Sequence, residues 1–329
     1  MTIEKTRRGS PPQLATFALT LDVGRSEPET ADFVANAEAT LPPESRVPNH
    51  LPLVLASGLP RPRGLVFDGS SVYVLVFASR SAEAGQLLQI DRDSGRTQVL
   101  ASQVRPDALA ADADHVYWSE IESGTIERLC KHDGARTTVA TDDRGPTIMA
   151  VGDAGVFWAT RRFEVLGAQA AGLPPRRIAQ FDAAITGLAV DDDDLLVALS
   201  SGEMWRVTID GVARQLFLTG QSFLRGFVFD SRRVYWIDDV AHAVKSAAKR
   251  GGGQVLHLAS APSGDGFLAL GADALVWSDG DARTIRVLHR DGSRALAATG
   301  LARPSEIATA GAWIAWINRG DGSVMTVHQ

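Results

Sequence analysis

GFVFDSRRVYWI, residues 226–237, is one of seven related stretches in this chain of 329 residues. Each stretch has a short apolar run, a polar turn and a second apolar run. When the copies are aligned on the turn, neighbours lie 39 to 44 residues apart, a period that is typical of repeat architectures. The other six copies are GLVFDGSSVYVL (64–75), ALAADADHVYWS (108–119), IMAVGDAGVFWA (148–159), GLAVDDDDLLVA (187–198), FLALGADALVWS (267–278) and EIATAGAWIAWI (306–317).

Each copy predicts a sheet of four antiparallel strands, which we name A to D in chain order. The quoted stretches supply strands A and B, because short runs rich in β-branched and aromatic residues between turn residues are typical of strands. Two further runs follow in most copies. In the second copy they cover 125–130 and 137–141 and are joined by His132-Asp133-Gly134. Asp and Gly suit such a hairpin because they tolerate positive φ.

Seven such sheets predict an all-β fold, a seven-bladed β-propeller. A single four-stranded sheet cannot bury both of its faces, whereas sheets stacked around an axis bury them against one another. The aromatic residues of strand B are therefore expected to form the core between blades. They are Tyr117, Trp118, Phe157, Trp158, Tyr235, Trp236, Trp277 and Trp316.

The first and last repeat-like segments predict how the ring closes. Strand C of the seventh copy, at 322–328, has no strand D after it. LPLVLAS, at 51–57, has no strands A to C before it, and it resembles the strand D segments QVLAS (98–102) and QVLHLAS (254–260). We therefore expect 51–57 to complete the last blade, which removes the two open edges of an unclosed array.

Residues 1–50 do not fit the repeat and are predicted to be an N-terminal extension to a propeller at 51–329. Ser26 and Glu29 have the spacing of a capping box, and apolar residues then recur at helical spacing. These features predict a short helix at about 27–41. The extension is interpreted as an arm on the propeller, or alternatively as a lid or an arm exchanged with a second subunit.

Composition limits the classes of partner. The net charge of −6 gives no basic excess to neutralise phosphates, so no nucleic-acid partner is expected. No apolar run approaches the roughly 18 residues of a membrane span, so no membrane partner is expected either. The single cysteine, Cys130, excludes an internal disulfide. Together these features predict a cytoplasmic protein.

The repeats resemble those of known propeller families. VYW after a short turn that contains Asp, followed by a segment such as GTIERL (124–129), resembles the NHL, YVTN and YWTD repeats. RPSEIATAGAWIAWINRGDGSVMTV (303–327) is similar to tryptophan-containing repeats of bacterial propellers of unassigned function. The resemblance covers about 51–329 and implies the fold but no activity, because the matching residues are structural. YWTD propellers have six blades, whereas this chain has seven copies.

Topology predicts where a ligand would bind. In propellers the D–A and B–C loops share one face, which we call the axial face, and ligand sites lie there at the axis. Several loop arginines suit carboxylate or phosphate groups, and acids beside them would orient them or meet ligand hydroxyls. The predicted ligand-binding residues are Arg63, Arg105, Asp107, Glu120, Arg225, Asp265, Arg303 and Glu306. The same loops also carry Arg61, Arg161, Arg162, Phe163 and Arg319.

Two functions are compatible with these residues. The first is a binding propeller, without a cofactor, that holds a polar small molecule or a segment of a protein partner. The second is an enzyme of the lyase, cyclase or lactonase type. Its candidate catalytic residues are His242, the one histidine expected in a B–C loop, with Asp238 or Asp239 as an acid–base partner. In a variant of the enzyme hypothesis, Asp107, Asp265 and Glu306 hold a divalent cation.

Overall fold

The structure, a computed structural model, describes residues 51–77, 85–120, 123–142, 145–168, 174–261 and 266–329. These residues form seven antiparallel sheets of four strands each, arranged as a β-propeller. In every sheet the strands follow one another in space as a meander, so that each predicted repeat is one blade. The predicted helix at about 27–41 and the rest of the extension lie outside the described residues.

The first four blades follow one another along the chain. Blade 1 comprises β2 (Arg63–Phe67), β3 (Ser71–Phe77), β4 (Gly85–Asp91) and β5 (Thr97–Val104). Blade 2 comprises β6 (Pro106–Ala111), β7 (His115–Glu120), β8 (Thr125–Cys130) and β9 (Arg136–Thr141). Blade 3 comprises β10 (Pro146–Gly152), β11 (Gly155–Thr160), β12 (Glu164–Ala168) and β13 (Arg176–Gln180). Blade 4 comprises β14 (Ile185–Asp191), β15 (Asp194–Leu199), β16 (Met204–Thr208) and β17 (Arg214–Leu218).

The last three blades follow the same plan, and the seventh takes its outer strand from the start of the described chain. Blade 5 comprises β18 (Leu224–Phe229), β19 (Arg233–Asp238), β20 (Ala243–Ala248) and β21 (Leu256–Ser260). Blade 6 comprises β22 (Leu268–Leu270), β23 (Ala274–Asp279), β24 (Thr284–His289) and β25 (Arg294–Ala298). Blade 7 comprises β26 (Pro304–Ala310), β27 (Trp313–Asn318), β28 (Ser323–His328) and β1 (Leu53–Ala56).

The ring is closed as the sequence predicts. Strand β1 pairs with β28 in antiparallel register, with Leu53 opposite Thr326 and Val54 opposite Met325. The innermost strands of consecutive blades contact each other around the ring, and β2 of blade 1 contacts β26 of blade 7. The first and last blades are thereby joined, and no inner edge is left open.

The core lies between blades, as predicted from the aromatic residues. Seven clusters of buried apolar side chains occur, one at each interface between neighbouring blades. Successive residues of strand B face opposite neighbours, as the two-residue period of a strand requires. Trp118 packs against blade 1 and Tyr117 against blade 3. Trp118, Trp158, Trp236 and Trp316 are fully buried.

Within the part of the chain that the structure describes, no helix has the length and apolar character needed to cross a membrane.

Candidate functional site

Backbone hydrogen bonds join the B–C turns to the D–A loops and define the axial face. In five blades, the last residue of the B–C turn offers its carbonyl oxygen to an N–H group of the D–A loop that leaves the same blade. In each of these pairs the turn residue has a left-handed backbone, with φ between 48° and 69°. The five acceptor–donor pairs are Gly124 with Asp142, Phe163 with Phe181, His242 with Ala261, Arg283 with Leu301 and Gly322 with Leu59.

The innermost strands enter this face through backbone irregularities. In β2, β6, β10, β14, β18 and β26, the pairing register with strand B shifts near the first residue of the strand. Such bulges change the direction of side chains and are common beside functional sites. Four of the predicted ligand-binding residues lie at these bulges, namely Arg63, Asp107, Arg225 and Glu306.

Arg63 lies among other arginines. Its side chain is half-buried, and its guanidinium carbon lies 5.8 Å from the centroid of the Phe77 ring. Burial and the charges of Arg319 and Arg61 lower the pKa of Arg63, although Glu306 and Asp107 act in the opposite direction. No carboxylate among the described residues lies within ion-pairing distance of Arg63. The described surroundings of this cation therefore hold less negative than positive charge.

Glu306 is one of the two acids whose charges act on Arg63, and it already forms an ion pair. Its carboxylate is buried, at 2% exposure, and accepts a hydrogen bond from Nη2 of Arg319 at 2.6 Å. The Ser305 hydroxyl donates to its other oxygen. The Arg319 guanidinium also lies over the Phe267 ring, 5.6 Å from the centroid. These contacts from blades 6 and 7 fix the direction of Arg319.

Asp107 is the second acid of the group and has a different state. Burial raises the pKa of its carboxyl to about 6, although the charges of Arg161 and Arg63 act to lower it. Asp107 thus changes charge close to neutral pH, where a group can exchange protons efficiently. The charge of Arg161 acts on this acid from the B–C turn of blade 3. We call Arg61, Arg63, Arg161 and Arg319, with Asp107 and Glu306, the axial charge cluster.

The predicted catalytic residues lie in and beside the B–C turn of blade 5. Asp238 is buried, accepts a hydrogen bond from Nζ of Lys245 at 2.7 Å, and caps the turn through the amides of Val240 and Ala241. Burial acts to raise the pKa of Asp238, but Lys245 and the amides outweigh it, so that the net shift is downward. The carboxyl is therefore ionised at neutral pH and paired with Lys245.

His242 is exposed at the end of the same turn, with a φ of 48°. Asp239, beside Asp238, is half-buried. Asp238, Asp239 and His242 thus all lie on the axial face. Asp238, however, is paired with Lys245 rather than with His242. The acid–base pair remains a prediction.

The other predicted ligand-binding residues have separate surroundings. Glu120 accepts hydrogen bonds from Nε1 of Trp118 at 3.0 Å and Nη2 of Arg136 at 3.1 Å. Its carboxylate thus stabilises contacts within blade 2. Arg303 is exposed, with a φ of 58°, and its carbonyl oxygen accepts the N–H of Arg319. Arg105 is half-buried in the loop between β5 and β6.

Arg225 and Asp265 add no side-chain geometry to the site. Arg225 is in strand β18, and only its backbone is described. Asp265 falls outside the described residues. The described residues contain no group of three or more His, Cys, Asp or Glu side chains that could hold a metal ion. Because the proposed cation ligands include Asp265, the divalent-cation variant remains a prediction.

Three members of the axial charge cluster, Arg61, Arg161 and Arg319, are not among the ligand-binding residues predicted from the sequence. Arg161 and Arg319 lie in B–C turns, and sequence alone gives no reason to prefer them over Arg105 or Arg303. Only the tertiary structure places Arg161 and Arg319 in the cluster. Arg161 acts on Asp107, in the innermost strand of blade 2, and Arg319 contacts Glu306, in the innermost strand of blade 7.

Comparisons with known proteins agree with this fold. No family model matches the sequence, and none of the curated proteins is similar to it in sequence. The fold is similar to that of virginiamycin B lyase. The Staphylococcus aureus enzyme superposes with a TM-score of 0.69 at 14% identity, over 85% of this chain and 99% of that chain.

Propellers from other groups are also similar. The nidogen/laminin complex contains one with a TM-score of 0.51 and 19% identity, over 68% of this chain and 88% of that chain. BamB from Moraxella catarrhalis gives a TM-score of 0.52 and 19% identity, over 80% of this chain and 82% of that chain. These likenesses establish the propeller architecture and its resemblance to such families, and at this identity they carry no activity over to this chain.

Proposed function

We propose that the protein binds a polar, negatively charged small molecule at the axial charge cluster. The observation that carries the proposal is the imbalance of charge around Arg63. Among the described residues, four guanidinium groups act on a region that holds two carboxyl groups, of which Glu306 is already paired with Arg319. A ligand carboxylate or phosphate would supply the missing negative charge and accept the paired N–H donors of a guanidinium.

The proposal favours a small molecule over nucleic acid because the positive charge is local and the chain as a whole is acidic, with a net charge of −6. A carboxylate presented by a segment of a protein partner would use the same groups. Competition between a small acid and such a segment would then show that both bind at the same site.

Calorimetric titration with citrate and with inorganic phosphate tests the proposal. Arg63→Ala is expected to weaken binding by about tenfold, and Arg63→Lys to recover part of it, because lysine keeps the charge but loses the planar fork. Arg250→Ala is the matched control, since Arg250 is exposed in the C–D turn of blade 5, on the opposite face. Equal affinities for the wild type and Arg63→Ala would refute the proposal.

Acid–base catalysis in the same region is a second candidate, favoured by the pKa of Asp107 at about 6 beside arginines. Asp107 would transfer the proton in an elimination or hydrolysis, and an arginine would stabilise the developing negative charge. A metabolite pool incubated with the protein and examined by native mass spectrometry would reveal a product of changed mass. Asp107→Asn should then abolish turnover, and His242→Ala tests the separate prediction for His242.

A further inference from the structure

The B–C turn of blade 3 carries an aromatic side chain in an unusual place. Phe163 has a φ of 61°, and its ring is among the exposed large apolar groups, at 37% exposure. It does not belong to any of the described apolar clusters between blades. Bulky residues rarely adopt positive φ, and where they do, the strain is often connected with function.

The turn itself does not require phenylalanine. The corresponding positions in blades 2 and 7 are Gly124 and Gly322, which make the same backbone bond to their D–A loops without a side chain. Glycine adopts this conformation without steric cost. A phenylalanine at this position therefore carries a conformational strain that the fold of the turn does not explain.

The equivalent residue of blade 6 shows what a structural side chain does here. Arg283 has a φ of 60°, and its guanidinium donates to the carbonyl oxygens of Leu301 and Gly300 at 2.5 and 3.3 Å. These bonds hold the D–A loop of its own blade and give a structural reason for the residue. The Phe163 ring can make no such bonds.

The turn is held rigidly beside the axial charge cluster. The Phe163 N–H donates to the carbonyl oxygen of Thr160 at 3.0 Å, and its carbonyl oxygen accepts the Phe181 N–H at 3.0 Å. Gln180 anchors the turn as well, through its side-chain amide and the carbonyl oxygen of Arg162 at 2.8 Å. Arg161, two residues before Phe163, acts on Asp107 of the neighbouring blade. One rigid turn thus presents both a guanidinium group and an exposed ring on the axial face.

We propose that Phe163 is an apolar platform of the axial site and that the ligand is an anion carrying a flat, apolar ring. The inference rests on the proposed function, because the arginines would hold the anionic group while Phe163 contacts the ring. Two other guanidinium groups of the cluster already lie against aromatic rings, Arg63 on Phe77 and Arg319 on Phe267. Of the three rings of Phe77, Phe267 and Phe163, that of Phe163 is the exposed one, so the ring of a ligand can pack against it.

Benzoate and acetate are the probes, since they share a carboxylate and differ in the ring. The wild type is expected to bind benzoate about tenfold more tightly than acetate in calorimetric or NMR titrations. Phe163→Ala and Phe163→Gly should bring the ratio close to one, and Phe163→Tyr should restore it. Phe163→Gly should also raise Tm relative to Phe163→Ala, because glycine alone releases the left-handed strain.

The outcomes separate the two proposals. Equal affinity of the wild type for both anions, or an unchanged ratio in Phe163→Ala, would overturn the ring platform. The anion site would still stand if Arg63→Ala weakened both anions. A protein that binds neither anion would overturn both proposals.

Discussion

Lys131 Nζ lies 3.0 Å from Oδ2 of Asp68, and this contact joins blade 2 to blade 1 on the face opposite the candidate site. Asp68 occupies the A–B turn of blade 1, where its other oxygen accepts the amides of Ser70 and Ser71. Lys131 directly follows strand C of blade 2. The same arrangement joins Lys249 to Asp191 at 2.7 Å and Arg290 to Asp230 at 3.2 Å.

In blade 3 the acid is absent from the A–B turn, and the base is absent from blade 4 as well. Gly152 takes the acidic position in blade 3, and Ile209 takes the basic position in blade 4, where it packs into the apolar cluster between the two blades. In blade 7 the position is Ala310, and Arg92 of blade 1 instead lies over the Trp313 ring, 4.6 Å from its centroid. Each of the three ion pairs therefore belongs to one particular interface between neighbouring blades.

Lys131→Met is expected to lower the free energy of unfolding at pH 7 by about 1–3 kcal/mol, because Asp68 is left partly buried without its cation. Asp68→Asn combined with Lys131→Met should cost less than the sum of the single changes. Urea denaturation of the four proteins measures the coupling. Additive losses would show that the pair makes no specific contribution.

The same pair should affect acid stability. Burial acts to raise the pKa of Asp68, but the Ser71 amide and Lys131 outweigh it, so the net shift is downward. A lowered carboxyl pKa contributes stability that is present above the unfolded pKa of about 3.9 and is lost as the pH falls through the folded pKa. Lys131→Met should therefore lose less stability than the wild type between about pH 4 and pH 2.

Asp107 should have the opposite pH dependence. The folded pKa of Asp107 is about 6, above the ordinary value. As the pH falls, the folded state therefore binds a proton at a higher pH than the unfolded state does. Its contribution to stability therefore increases as the pH falls from about 6 to 4. Asp107→Asn should remove this dependence and raise the free energy of unfolding at pH 7 by about 1–2 kcal/mol, an amount reduced for partial exposure.

Urea denaturation from pH 4.5 to pH 7.5 checks the Asp107 prediction, with pH values set around that pKa of about 6. Asp193→Asn is the control for the change in net charge, since Asp193 is exposed in the A–B turn of blade 4. An Asp107→Asn protein whose stability follows the wild-type pH profile would contradict the assignment.

Gly322 tests the closure of the ring. Its φ is 69°, and a methyl group there would collide with the backbone oxygen of Leu59, in the segment that follows β1. Gly300 has a similar φ of 68°, but a methyl group there would meet no atom within 4 Å. Both changes to alanine carry the left-handed strain of about 1 kcal/mol, and only Gly322→Ala adds the collision.

Gly322→Ala should therefore lower Tm clearly more than Gly300→Ala in a thermal scan. Proteolysis near the start of β1 should also be faster in Gly322→Ala, because the loop after β1 loses its bond to the B–C turn of blade 7. Equal losses in the two variants would mean that the chain shifts locally and that Leu59 does not hold the closure.

Sequence reasoning predicted the ring but only part of the site. Arg63, Asp107 and Glu306 were identifiable because topology assigns the starts of the innermost strands to one face. Topology assigns Glu120 and Asp238, at the ends of second strands, to the same face, yet their carboxylates are used by Arg136 and Lys245. The number of residues between strands indicates which loop a side chain occupies, but not the direction in which it points.

The sequence by itself determined the seven blades, their strand order and the closing strand, because the repeat period and the alternation of apolar residues leave one way to bury every sheet. Only the tertiary structure decided that Arg161 and Arg319 share one electrostatic environment with Arg63. These residues come from separate blades, and their proximity depends on the curvature of the ring, which brings B–C turns and the starts of innermost strands together.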